Sequence, residues 1–196
     1  MIEIEQRGYL TVDFKNWLEG NAEKVDEYEQ INVFCESDQD SVAGFVDKKY
    51  TMSVVLTKRK GVVTGEAKMK KGDIGADSRQ EYRFDFDPDD IDSLLGILET
   101  LGITGYCPRY YQRTDYKYRG FDISLKENGL LADHFEIELG VGDELKVEEG
   151  KEAMNDFILE RGLQILAKDE YESILQKIYK DNPPVPWEEI DLSRFR

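Results

Sequence analysis

The amino-acid sequence predicts an α+β protein, an antiparallel β-barrel with a charged interior flanked by helices. Three observations lead there. Strand-like segments dominate the chain, with a helix after the first strand, one in the middle and a pair near the end. Five of the strands alternate charged with apolar side chains. At 196 residues and 22.7 kDa, the chain is long enough to bury a core without covalent staples.

Taken in order, MIEIEQRGYL alternates Glu3, Glu5 and Arg7 with Ile2, Ile4 and Gln6, which is the pattern of a strand. Two carboxylates and a guanidinium then share one row, about 7 Å apart at each step. Residues 12–26 (VDFKNWLEGNAEKVD) read as helical, with Val12, Trp17 and Leu18 as core contacts and Gly20 as a weak point. YEQINVFCES reads as a strand and SDQDSVAGFVDKK as a polar loop. YTMSVVLTKRKG and VVTGEAKMKKGD are strands joined by a hairpin turn at RKG, and SRQEYRFDFDP is a further alternating strand.

DPDDIDSLLGILETLG is the clearest helix. Asp87 is placed to cap it, Pro88 occupies its first position, and acidic residues crowd its first turn. Ile91, Leu94, Leu95, Leu98 and Leu101 fall on one face, and Gly102 ends it. The strands YYQRTDYKYR, FDISLKE (after an Arg119–Gly120 turn) and HFEIELGV follow. Residues 149–180 carry two helical stretches with a break near Lys168–Asp169. A domain over residues 1–180 is thus expected, with a Pro-rich tail (181–196) packed on its surface through Trp187 and Phe195.

The charged faces raise the functional question. Lys68 and Lys70 share a face, as do Arg79, Glu81, Arg83 and Asp85. Arg113, Asp115, Lys117 and Arg119 do so in a later strand, and Glu136 with Glu138 in the last. One such face on one strand is an ordinary exposed sheet surface. Repeated over five strands, the pattern fits a barrel whose outside is covered by helices and whose inside is charged. Such an interior is costly unless its charges compensate one another or bind ions. A polyphosphate with Mg²⁺ or Mn²⁺ supplies both signs.

Composition narrows the partners. A net charge of −16 disfavours nucleic acid and anionic membranes as broad-surface partners, but not a small anion in a basic pocket. Cys35 and Cys107 form neither a disulfide framework nor a metal spacing, and one histidine, His134, is too few for a His-rich zinc site. His134 reads as structural or exposed. No apolar run approaches a membrane span and the N-terminus is strand-like, so a cytoplasmic location is expected.

The ordered motifs resemble those of the CYTH domains, or triphosphate tunnel metalloenzymes, over roughly residues 1–180. Glu3-Ile4-Glu5-Gln6-Arg7 stands where that family has Glu-x-Glu-x-Lys. Gln30, then Lys68 and Lys70, then Arg79 and Glu81 before a helix, then Arg113, then Glu136 and Glu138 follow in the family order. LERGLQILAKDEYESILQ is similar to the closing helices. There are departures: Val55 and Thr57 stand in place of an Arg-x-Arg pair, and Tyr111-Gln112-Arg113 in place of Lys-x-Arg. Glu127 is the nearest match to an acidic residue ahead of the last Glu-x-Glu.

The resemblance implies a tunnel in which Glu3, Glu5, Glu136 and Glu138 hold Mg²⁺ or Mn²⁺ and serve catalysis. It implies that Arg7, Lys68, Lys70, Arg79, Arg83 and Arg113 bind substrate phosphates, with Glu81 and Lys117 in support. The expected activity is metal-dependent hydrolysis of inorganic tripolyphosphate, a nucleoside triphosphate or thiamine triphosphate. A class IV-type adenylyl cyclase and a non-catalytic nucleotide- or polyphosphate-binding protein are the alternatives. A small-molecule triphosphate is the expected partner, and a homodimer is left open.

Overall fold

The computed structural model describes residues 2–37, 50–71, 78–142 and 144–195. The polar loop expected over residues 37–49 lies outside them from residue 38 onward. Eight strands form one closed antiparallel barrel: β1 (Ile2–Tyr9), β2 (Glu23–Ser37), β3 (Tyr50–Arg59), β4 (Val62–Lys71), β5 (Ser78–Phe86), β6 (Ile103–Tyr118), β7 (Phe121–Glu127) and β8 (His134–Val141). Their order around the barrel is β1-β5-β4-β3-β2-β6-β7-β8. Four α-helices among the described residues flank it: α1 (Val12–Asn21), α2 (Ile91–Thr100), α3 (Val147–Arg161) and α4 (Lys168–Asp181). No described helix is long and apolar enough to cross a membrane, a statement that concerns helices only.

Local chemistry sets the elements. The β3–β4 hairpin turns on Lys60 and Gly61, and the β6–β7 hairpin on Arg119 and Gly120, each pair with positive φ. Two-residue turns of that kind match the twist of paired strands. The Asp87 side chain accepts from Asp89 N–H at the start of a short 3₁₀ turn, Pro88–Asp90, which leads into α2.

Some boundaries differ from expectation. The first helix stops at Asn21, and residues 23–26, expected as helix, begin the long strand β2, whose pairing with β6 overrides a weak helical pattern. Val12 is exposed and Phe14 takes its place in the core beside Leu18. Leu101, expected on the buried face of α2, is also exposed, because it lies past the last helical turn. The last two helices break at residues 162–167 rather than at Lys168–Asp169; Gly162 caps α3 in the left-handed conformation.

That break carries a job. Among the described residues β5 pairs with β1 only at Ile2, Glu3 and Ile4. Further along, the linker takes over: Leu166 N–H donates to Arg7 O (2.8 Å) and Tyr9 N–H to Gln164 O (3.2 Å). Gly8 permits this crossing, since a Cβ there would lie 2.3 Å from Gln164 O and 2.4 Å from the Phe135 ring.

The apolar core lies outside the barrel wall, in two main parts. Ile31, Val33, Val54 and Leu56 pack against Leu95 and Leu98 of α2 and against Trp187, Ile190, Leu192 and Phe195 of the tail. Ile4, Ile123, Leu125, Phe135 and Ile137 pack against Phe14 and Leu18 of α1 and Met154 and Phe157 of α3. The tail is tied by a Tyr106–Val185 bridge and by the Tyr110 hydroxyl donating to Asp191 O (2.7 Å). Helix α4 lays Leu175 and Tyr179 on Cys107 and Phe34, and Tyr171 on the Arg7 guanidinium. With the apolar side chains turned out, strand alternation turns the charged ones in.

Candidate functional site

The barrel encloses a cavity of about 390 Å³ lined from every strand. Register explains the lining: once Glu3, Glu5 and Arg7 of β1 face inward, β8 sets Glu138 opposite Glu5 and Glu136 opposite Arg7. Across the cavity mouth, β4 and β5 add Lys68, Lys70, Glu81 and Arg83.

Glu3, Glu5 and Glu138 converge, with one carboxylate oxygen from each lying within 4.8 Å of the others. Lys70 Nζ donates to Glu3 (2.6 Å) and Glu5 (3.3 Å) and lies 3.4 Å from Glu81. Burial, reinforced by repulsion from Glu138 and Glu5 and opposed by Lys70, pushes the Glu3 carboxyl up to about 8. Burial and the Glu5 charge raise Glu138 as well. Burial works to raise Glu5 too, but Arg7 and Lys70 outweigh it and hold that group below its ordinary value. Lys70 and Arg7 are the cations of this cluster, and they leave Glu3 and Glu138 raised by burial and mutual repulsion. A hard divalent cation such as Mg²⁺ or Mn²⁺ fits that all-oxygen donor set.

Glu136 stands apart from this cluster. Arg7 Nε donates to one of its oxygens at 2.8 Å and Lys126 to the other. Arg7 also bonds Glu5. Burial opposes ionisation of Glu136, but Lys126 and then Arg7 prevail and hold it well below the carboxylate range. It is the hub of an ion-pair network, with one protein donor on each of its oxygens.

The other expected residues distribute as follows. Lys68 pairs with Glu66 (3.3 Å), and Arg113 Nε donates to Asp115 (2.7 Å) with Ser124 completing the group. Arg83 lines the mouth with its side chain 67 % exposed, 4.0 Å from Glu66. The backbone of Arg79 pairs with Glu3, and its side chain lies outside what is described. Lys117 does not line the cavity: it sits 61 % exposed beside Asp122. Glu127 points away and binds Lys15 (2.7 Å). Its neighbour Lys126 faces inward instead, on the same face of that strand as Asp122.

Residues that sequence reasoning passed over are Arg109, Tyr111, Asn32, Asp122 and Lys126, all in the lining. Strand alternation held the signal: with Arg113 inward, Tyr111 and Arg109 must face the same way. His134, read as structural or exposed, is buried in the lining, its Nδ1 3.0 Å from Ala132 O, and burial depresses it to about 4.

No family model matches the chain, and no curated protein matches it either. Solved structures do. The PH1819 protein of Pyrococcus horikoshii OT3 superposes with a TM-score of 0.74 at 19 % identity, over 89 % of this chain and 99 % of that one. A protein of Vibrio parahaemolyticus described as a candidate adenylate cyclase gives 0.64 at 16 % identity, over 89 % and 98 %. HpAC1 of Hippeastrum, an adenylyl cyclase candidate described as having a dominant triphosphatase activity, gives 0.55 at 16 % identity, over 84 % and 89 %. The likeness runs along 84–89 % of this chain, so its eight-stranded closed antiparallel barrel is the fold of these structures.

Proposed function

We propose that the barrel binds a triphosphate together with Mg²⁺ or Mn²⁺ and hydrolyses a phosphoanhydride bond. The observation that carries this reading is the convergence of Glu3, Glu5 and Glu138 beside Lys70, inside a cavity that also holds Arg7, Lys68 and Arg113. The carboxylates would hold the cation, which when bound polarises a phosphoryl oxygen and orients a water. Lys70, now on Glu3 and Glu5, is free to turn to the phosphates once a cation neutralises those groups. Lys68 and Arg113 would bind phosphate oxygens and stabilise charge developing in the transition state. Arg7 and Glu136 hold each other, so Arg7 orients Glu5 while reaching the same space. The HpAC1 likeness favours hydrolysis over cyclisation as the first activity to seek.

Release of phosphate and pyrophosphate from tripolyphosphate, ATP and thiamine triphosphate, with Mg²⁺ or Mn²⁺, tests the reading. Glu5→Gln should abolish metal-dependent release while the protein stays folded, because Arg7 keeps Glu136 and Lys70 keeps Glu3. Turnover surviving that change would sink the proposal. Pyrophosphate released from ATP together with cyclic AMP would replace hydrolysis with cyclisation. A second reading, binding without turnover, is favoured by the cations already neutralised in the wall; saturable binding of all three with no release would select it.

A further inference from the structure

One tunnel cation is unlike the rest. Among the described residues, Arg7, Lys68, Lys70, Arg83, Arg113 and Lys126 each have a carboxylate partner. Arg109 has none, although it is only 3 % exposed. Its guanidinium lies over the Phe34 ring (4.5 Å) and near that of Tyr179 (5.4 Å), and it shares a hydrogen bond with Tyr111. Its Nε and Nη2 atoms are buried with no hydrogen-bond partner. Directly opposite in the β2–β6 ladder stands Asn32, whose Oδ1 is likewise buried and unpartnered. Both side chains line the cavity.

Leaving a buried charge and a buried amide oxygen unmet is costly, so such groups mark a place where something else supplies the bonds. The demand here is two-sided. Arg109 needs an acceptor, and Asn32 Oδ1 needs a donor beside it. Inorganic polyphosphate offers acceptors and would leave Asn32 unanswered. It also has no use for Phe34, Val55, Leu131 and Leu175, which line the same cavity. A heterocycle carrying an amino group next to a ring nitrogen meets both demands and can cover the apolar wall.

We propose that Asn32 and Arg109 form a recognition subsite for the organic part of an organic triphosphate, a planar heterocycle with a donor beside an acceptor. The subsite rests on the proposed function for the phosphate end of that ligand, while its own residues lie on β2 and β6, away from the β1 and β8 carboxylates.

Two titrations of the whole protein separate the claims. In the first, adenosine, cytidine and thiamine are added without metal and followed at the Arg109 Nε–Hε resonance by NMR. In the second, tripolyphosphate is added with Mg²⁺ and followed by calorimetry. At least one organic probe should shift the Arg109 resonance saturably. Asn32→Leu should weaken that probe about tenfold, the worth of one lost hydrogen bond to a buried group, and leave tripolyphosphate within about twofold. Asn32→Ser, a smaller change, serves if the leucine variant does not fold. If no organic probe moves Arg109 while tripolyphosphate binds, the subsite is overturned and the phosphate reading stands. Equal loss of both ligands in Asn32→Leu also overturns it, as a mere phosphate contact. An organic probe that binds while tripolyphosphate does not keeps the subsite and removes the triphosphate reading.

Discussion

Replacing Glu136 with glutamine asks whether this residue serves the fold or a metal. Glu136 is 6 % exposed, and Arg7 and Lys126 donate to different oxygens of its carboxylate. The substitution keeps the shape and removes the charge. Arg7 retains Glu5, but Lys126, itself 9 % exposed, makes no second ion pair among the described residues. Breaking a buried pair from one side costs about 3–5 kcal/mol, because the surviving charge is left without a partner or water. For a chain of this size each kcal/mol lowers Tm by about 2–4 °C, so a fall of roughly 6–20 °C is expected. Lys126→Met should cost less, since Glu136 keeps Arg7. The double variant should recover part of the loss, with a coupling of about 2 kcal/mol. Urea unfolding of the four proteins without metal, with m unchanged, gives the cycle. A cost under about 1 kcal/mol for Glu136→Gln, or additive effects in the double variant, would refute the hub assignment. Lost metal affinity with unchanged metal-free stability would make Glu136 a ligand instead.

His134, depressed to about 4 by burial and then by Lys126, binds fewer protons folded than unfolded between there and its ordinary 6.5. Stability should therefore fall by about 3 kcal/mol as pH drops from 6.5 to 4. Urea midpoints at pH 7.5 and 4.5 check this, and a flat profile that His134→Gln leaves unaltered contradicts it. Gly8→Ala should destabilise by about 1–3 kcal/mol, because the new methyl meets the Gln164 carbonyl and the Phe135 ring and neither has room to retreat. Thermal melts read that, and no change would mean the linker crosses β1 loosely. Lys70→Met should lower metal-free stability, enlarge the Tm rise caused by Mn²⁺, and weaken tripolyphosphate about tenfold or more by removing a charged donor. Calorimetry and melts together test it; unchanged Mn²⁺ stabilisation would break the link between Lys70 and the carboxylate cluster.

Much of this architecture was legible because strand alternation is a rigid rule. Glu3 and Glu5 facing one way forces Ile4 the other, and the same rule in β8 separates Glu136 and Glu138 from Ile137. The N-cap at Asp87 and the turn at Arg119–Gly120 were legible for similarly local reasons. Pairing across the barrel was not. Nothing in HFEIELG says that Arg7 and Lys126 both reach Glu136, which sets it apart from Glu138 although the two are next-but-one neighbours. Lys126 itself was hidden by FDISLKE, where a one-residue choice of register decides whether Lys126 or Glu127 faces inward. Residues 23–26 were misread because a weak helical periodicity could not reveal that β6 offers them a long partner.

The seam of the barrel has a consequence for synthesis. β1 meets β8 along its whole length, residue 2 against 141 and residue 9 against 134, so the circle is drawn shut by segments made far apart in time. Until β8 appears, β1 can pair with β5, among the described residues, at Ile2, Glu3 and Ile4 only. Even then the outer faces of β2 and β3 wait for Trp187 through Phe195 to cover them. Long-range closure of this kind is slow and exposes strand edges on the way. An unfinished chain carries its polar lining and its sticky exterior half assembled, which makes it a natural client for chaperones and a poor candidate for truncation.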